Sequence, residues 1–431
     1  MDFLEPSTIT LIVLAVMAVM FVTELIPLAI TAMSGAIVLG ALGVITPAQV
    51  FSGLSNSTVV LFAGMFVIGA AMFHTGLAQK LGTMVVKAFG TGEISLMIGT
   101  MSIAALLSAI SSNTGTTAAL MPVIIGICAA AGISASRQLM PLAFAAGFGG
   151  TMTLIGTPPN IIANGALAAS NLEPFGFFEF AKIGIPVSIV GMLYMIFLGR
   201  FLLPKRSAPQ EANAALKVAE AHEERARPKE YDSKKMWITG ITLIVVVLAM
   251  ALNLKRFPLE MAAVSGAIVL VLTGCISEGQ AYRGIDWVTI FLFAGMMPVA
   301  TALDKSGAGK IIADSVISFM GDNPSPYVLC SVLFILSCGL TQFMSNTASA
   351  ALLCPIGISI AHGIGASPHG VLMAIAMAAS CAFATPVGTP PNTLVLGAGN
   401  YRFMDYVRVG LPLIVLEFIV CSVLIPIIWP F

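Results

Sequence analysis

Two short motifs each occur twice in this sequence, and their residue types define the chemistry available to it. Ser112-Asn113-Thr114 recurs as Ser345-Asn346-Thr347, and Gly-Thr-Pro-Pro-Asn at 156–160 recurs at 388–392. None of the four segments contains Asp, Glu, Lys, Arg or His. Ser, Thr and Asn offer neutral oxygens that suit a small hard cation, and hydroxyl and amide hydrogens that suit an anion. Two adjacent prolines remove two backbone donors and clash with the preceding turn, so each pentapeptide must interrupt a helix. Gly156 and Gly388 precede these breaks and permit backbone angles closed to other residues. Each break frees carbonyl oxygens, which are further cation ligands. Bond-making chemistry finds no support: Ser112 has no His or Lys near it in sequence, so an intramembrane enzyme would lack its nucleophile–base pair.

The surroundings of these motifs are apolar. The chain has 431 residues, 58% hydrophobic and 9% charged, with 20 Lys+Arg balancing 20 Asp+Glu. That is far below the roughly 25% charge of soluble domains, so lipid must solvate much of the molecule. The even balance excludes nucleic acid as a partner, which would leave a basic footprint. Cys128, Cys275, Cys330, Cys338, Cys354, Cys381 and Cys421 lie in apolar stretches without a CxxC and read as small buried hydrophobes. The first ten residues hold two acids and no base, unlike a secretory signal, and predict a retained first span.

The doubled motifs belong to a longer repeat. SGAIVL occurs at 34–39 and 265–270, LFAGM at 61–65 and 292–296, and both pairs are 231 residues apart. The SNT and GTPPN pairs follow at shifts of 233 and 232. Four collinear matches at one offset make the chain a duplication. Between the halves, 205–235 carries eight Lys/Arg and six Asp/Glu and reads as a solvated linker with a surface helix.

Each half offers five apolar spans, near 9–26, 28–45, 57–75, 138–170 and 181–203, then 237–253, 259–276, 287–303, 370–399 and 410–430. Between the third and fourth lie apolar stretches, about 94–131 and 324–361, with SNT at their centres. Such a stretch is too long for one helix across ~30 Å of hydrocarbon. Its small polar middle predicts a re-entrant hairpin that turns at the tripeptide, where Ser and Asn cap the returning helix. An odd number of spans per repeat inverts the second copy in the membrane, the plan of secondary transporters. The fold class expected is therefore all-α and polytopic: two inverted repeats, each five transmembrane helices plus a re-entrant hairpin, with helices broken at the GTPPN motifs. Placing the linker in the cytoplasm and both termini outside puts 15 basic residues inside and five outside. Two tips and two breaks would then surround a central site whose positive helix ends hold an anion, with cations as the natural counter-charge.

At this point the residues resemble a known family, the divalent anion/sodium symporters, which carry dicarboxylates, citrate or sulfate. The resemblance covers nearly the whole chain and rests on both SNT motifs, TLIGTPPN at 153–160 and ASCAFATPVGTPPNTLV at 379–395. It implies a Na+-coupled symporter of a small divalent anion, most simply a C4-dicarboxylate such as succinate or malate, with no organic cofactor. The mechanism implied is an elevator within a homodimer. The first repeat, 1–204, would divide into scaffold 1–92 and transport part 93–204. The second, 236–431, would divide into scaffold 236–322 and transport part 323–431. The resemblance assigns substrate to Ser112, Asn113, Thr114, Ser345, Asn346, Thr347, Thr389 and Pro390. It assigns one sodium ion to Ser108, Ser112, Asn113 and Gly156, and a second to Thr341, Met344, Asn346 and Gly388. Gly115 and Thr117 replace the alanines of many relatives, which implies room for a substrate of different size. An extra leading span of some members is not expected here, and the implied location is the cell membrane.

Sulfate or a tricarboxylate as substrate, proton coupling, anion exchange and a channel remain open alternatives at this level. Glu417, inside the last apolar stretch, is either a proton-linked site or a structural acid. Glu24 and Glu260 sit beside prolines at span ends and read as interfacial. His74, His222, His362 and His369 do not cluster in sequence, so no metal site is expected of them. The 24 methionines read as adaptable packing.

Overall fold

The computed structural model describes residues 5–90, 92–205, 232–252, 256–320 and 325–430; most of the charged linker lies outside this set. Helices run in the same order through both halves, and the described residues contain no strand. The first half holds α1 (Pro6–Thr23), α2 (Leu28–Ala41), α3 (Ser57–His74), α4 (Leu77–Phe89), α5 (Glu93–Ile110), α6 (Asn113–Ala131), α7 (Leu139–Gly150), α8 (Pro158–Ala169) and α9 (Ala181–Leu202, with one π-helical turn). The second holds α10 (Ser233–Ala251), α11 (Leu259–Leu272), α12 (Trp287–Ser306), α13 (Ala308–Met320), α14 (Pro326–Thr341), α15 (Asn346–Gly363), α16 (Pro368–Ala379), α17 (Pro390–Ala398) and α18 (Phe403–Ile428). By length and composition, seven described helices can cross a membrane: α1, α3, α5, α9, α10, α12 and α18.

Several boundaries differ from a hydropathy reading. Residues 28–45 and 259–276 form helices of only 14 residues, α2 and α11, because Pro27 and Pro258 precede them and turns with left-handed Gly43 and Gly274 end them. Fourteen residues rise about 21 Å, short of the hydrocarbon thickness. Segments 138–170 and 370–399 are each two helices: the chain leaves helical geometry after Gly150 and Ala379 and resumes it at Pro158 and Pro390. Hydropathy alone assigns nothing to 77–89 and 308–320, which fold as 13-residue amphipathic helices, α4 and α13.

Packing sorts the helices into two groups, each drawn from both halves. In the first, α3 crosses α11 and α12 crosses α2. Glycine makes both crossings close: a Cβ on Gly64 would stand 2.7 Å from Ala263 C, and one on the repeat-equivalent Gly295 would stand 2.6 Å from Ala32 C. Overpacking such a crossing costs about 1–3 kcal/mol. In the second group α5 packs on α7, α14 on α16, and α9 and α18 close around them. Its centre is aromatic, with Phe144 and Phe383 ring centroids 5.0 Å apart and Tyr406 buried beside them. Buried hydroxyls tie the halves together: Tyr194 donates to Val409 O, and Tyr401 donates to Ser136 O while accepting from Met140 N–H. The seven cysteines are all free and buried.

One polar anchor joins the two ends of the second group. Glu179, in the turn before α9, accepts from Gly176 N–H and Trp429 Nε1, each at 3.0 Å, and from Lys182 Nζ at 3.4 Å. Burial pushes this carboxyl up, but the three donors outweigh burial and hold it below its ordinary 4.5. A carboxyl depressed on folding stabilises at pH above its unfolded value, and that stability is lost as pH falls through the folded value. Glu179→Gln is therefore expected to lower Tm at neutral pH, with the gap to the parent closing once pH drops below about 4.5, in a thermal-unfolding series in detergent.

Candidate functional site

Four helices begin at one place. Ser112 caps α6, Thr157 precedes α8, Ser345 caps α15 and Thr389 precedes α17. The caps of α6 and α15 match: Ser112 Oγ accepts from Gly115 N–H, and Ser345 Oγ from Ala348 N–H, both at 3.2 Å. All four starts line a single cavity of about 560 Å³, walled on its other side by α3 from Phe62 to His74 and reaching Gly284 and Asp286. Each helix start carries up to half a positive charge, so the four converging starts give their end of the cavity a positive potential although no Lys or Arg lines it; the Asp286 carboxyl lies at the cavity's edge.

All eight residues assigned to substrate line this cavity. Sequence reasoning missed Ser111 and Thr157, which also line it. Both are over 90% buried, and their hydroxyls have no protein partner. Thr157 and Pro158 are the repeat equivalents of Thr389 and Pro390, so the duplication itself was the signal that could have found them.

Behind each tip the polar atoms of a repeat converge. The inward end of the Asn113 amide lies 2.5 Å from Ser108 Oγ, 3.0 Å from Gly156 O and 3.1 Å from Ala146 O. The inward end of Asn346 lies 2.7 Å from Thr341 Oγ1, 3.0 Å from Gly388 O and 3.1 Å from Ala379 O. Ser108 and Thr341 each donate 2.7 Å to that same Ala146 or Ala379 carbonyl. Rotation of the amide presents either nitrogen or oxygen to these clusters. Nitrogen inward donates to the carbonyls, whereas oxygen inward brings four oxygens together, an arrangement that suits a hard cation. Six of the assigned sodium residues thus fall into two equivalent clusters, with Ala146 and Ala379 as members the sequence did not reveal. Ser112 Oγ caps α6, and Met344, in the turn after α14, donates its N–H to Leu340 O. Gly150 borders the first cluster: a Cβ there would overlap Asn113 Oδ1 and stand 2.9 Å from Gly156 O.

The breaks are held open by the last residue of each pentapeptide. Asn160 Nδ2 donates to Thr153 O at 2.8 Å, and Asn392 Nδ2 to Ala382 O at 2.7 Å and Thr385 O at 3.0 Å. Gln342 braces the second break further, donating to Cys381 O and accepting from Ala384 N–H.

The expected spare room at Gly115 and Thr117 is not there. A Cβ on Gly115 would stand 2.6 Å from Phe73 Cε2, so the Phe73 ring already fills that space. Thr117 is buried and donates to Asn113 O within α6. Glu417 is wholly buried behind the second break, accepting from Cys381 Sγ at 2.8 Å. It does not line the cavity. His74 lines the cavity, His362 lies on another surface cleft and His369 bonds Glu173 O, while His222 lies outside the described residues. No group of three metal-ligating His, Cys, Asp or Glu occurs among the described residues.

An all-helical membrane fold with a cavity between two copies of one uncharged motif set defines a membrane transporter. A family model described as citrate transporter matches residues 18–369 and 332–431, and the chain belongs to that family. It is 28% identical to the uncharacterized transporter YfbS of Escherichia coli, covering 97% of this chain and 98% of that one. It is 32% identical to an uncharacterized transporter of Haemophilus influenzae (93% and 87% covered). It is 28% identical to the sodium-dependent dicarboxylate transporter SdcS of Staphylococcus saprophyticus (91% and 80% covered). Among solved structures the fold matches the Alcanivorax borkumensis YdaH transporter with a TM-score of 0.65 at 15% identity, covering 98% of each chain. It matches Neisseria gonorrhoeae MtrF with a TM-score of 0.65 at 14% identity, covering 99% and 96%.

Phe73 limits the cavity beside the first tip. Phe73→Ala should therefore enlarge the cavity and admit longer ligands, and Gly115→Ala, which drives the ring inward, should admit only shorter ones. Thermal shift across a malonate-to-adipate series reads this as a displaced optimum.

Proposed function

We propose that this transporter couples inward movement of a small divalent anion, a C4-dicarboxylate such as succinate or malate, to Na+. The observation that carries this reading is the meeting of four helix starts in a cavity lined by no Lys or Arg. Each start contributes about 0.3–2 kcal/mol toward a negative charge, enough together to favour a dianion but with no fixed counter-ion to neutralise it. The two oxygen clusters directly behind the tips supply that neutralisation if each takes one Na+. The similarity to SdcS, a sodium-dependent dicarboxylate transporter, supports the same pairing of ion and substrate.

The packing groups supply the movement. The group of α1–α3 and α10–α12 is the scaffold, and the group of α5–α9 and α14–α18 carries the site as a unit. The two halves insert in opposite senses, the scaffold pairs with that of a second copy, and α4 and α13 connect the groups along the membrane surface. With both termini outside and the linker in the cytoplasm, the end of α3 at His74 and the loop at Asp286 face the cytoplasm. The cavity reaches both, so this conformer is open inward.

Counterflow in proteoliposomes with labelled succinate, malate, citrate and sulfate, with and without Na+, tests the reading. Movement of a diacid that depends on Na+ is expected; no Na+-dependent movement of any of the four would refute it. Asn113→Ala and Asn346→Ala should each raise the Na+ concentration for half-maximal uptake by roughly tenfold, the scale of one lost contact of ~1.4 kcal/mol. Gly150→Ala should do the same, because its methyl intrudes on Asn113 and Gly156 of the first cluster and on nothing in the second. Unchanged Na+ titrations in all three would remove the two clusters as ion sites.

A further inference from the structure

The duplicated sequence places equivalent residues in unequal surroundings. Phe62 and Phe293 hold the same position in the two LFAGM segments, and Gly165 and Gly397 lie nine residues past the first glycine of the two GTPPN segments. Phe293 is seated on Gly165: that glycine is buried, and a Cβ on it would overlap ring atoms Cζ and Cε2 of Phe293. Gly397 is exposed, and a Cβ on it would meet nothing within 4 Å. Phe62 instead faces the cavity, with its ring edge-on to Phe293 at 5.7 Å.

The helices repeat this imbalance. Within each group the packing is paired across the halves: α8 on α15 and α16 is matched by α17 on α6 and α7, and α1 on α12 by α10 on α3. Between the groups it is not. The second-half helix α12 packs on α8 and α15, whereas among the described residues α3 has no comparable packing on α17 and α6. The cavity occupies that gap, bridged by Phe73 on Gly115. Two copies of one sequence can exchange surroundings at little net cost, and inverted repeats use this to open a site to one face and then the other.

We propose that Phe62 and Phe293 form a two-position ring lock, with Phe293 on Gly165 in this conformer and Phe62 on Gly397 in the conformer open to the opposite face. The inference rests on the two-group movement described above. Glycine is needed at both sockets because any side chain would meet the incoming ring. The two rings touch each other at the middle of the scaffold, so one can engage its socket as the other disengages.

The free socket makes the lock testable without disturbing this conformer. Gly397→Leu has open space here and should leave Tm and the anion-induced thermal shift unchanged while lowering counterflow at least tenfold. Phe62→Cys paired with Gly397→Cys should cross-link in membranes with a short bis-maleimide, in the absence of any substrate, and Phe293→Cys with Gly165→Cys should cross-link as the partner state. Wild-type counterflow in Gly397→Leu overturns the lock. So does failure of the 62–397 pair to react while the 293–165 pair reacts. Because cross-linking needs no anion, it decides the lock even if the substrate reading fails; a reacting 62–397 pair without transport of any anion would keep the lock and discard that reading.

Discussion

Hydrocarbon cannot solvate an interrupted helix, and this molecule interrupts two of them. Everything at its centre follows from satisfying the exposed backbone. Asn160 and Asn392 reach back from the second proline turn to the carbonyls that the break releases. Asn113 and Asn346 reach across from the hairpin tips to the carbonyls of Gly156 and Gly388. With the amide nitrogen inward, tip and break are bonded to each other in each half. An unsatisfied buried carbonyl costs about 1–3 kcal/mol, so this bonding holds each tip and break as one piece. The same carbonyls that need a donor in one amide orientation can hold a cation in the other.

The absence of charge at this centre has a second consequence. A fixed Lys or Arg would hold an anion by itself and release it poorly. Helix starts and hydroxyls would hold it weakly, and the hydroxyls of Ser111 and Thr157, which have no protein partner, are free to add hydrogen bonds without charge. Charge is placed at the ends of the helices instead, where it anchors structure: Arg137 and Glu93 meet at 2.6 Å beside the start of the linker, and Lys182, Glu179 and Trp429 join near the C-terminus.

The helix crossings through Gly64 and Gly295 are equal to within about 0.2 Å, whereas the contacts of the two groups with each other are unequal. Matched packing within the groups and unmatched packing between them is the asymmetry of this structure. Phe293 on Gly165 and the bare surface at Gly397 are its local expression.

The membrane class, the duplication and the four motifs were legible from residue order because composition, repetition and paired prolines are local properties. The helix breaks followed from proline chemistry, and the tips from Ser and Asn between apolar arms. Three things were decided only in three dimensions. The carbonyls of Ala146 and Ala379 join the clusters although no sequence pattern marks a backbone oxygen in an alanine run. Helices α4 and α13 are too short and too amphipathic for a hydropathy window to find. The space that Gly115 leaves is taken by Phe73 from a distant helix, so a small residue that reads as room is a socket. In each case the deciding neighbour comes from elsewhere in the chain. A sequence specifies such a neighbour only through packing, and close packing between bodies is a property of the fold.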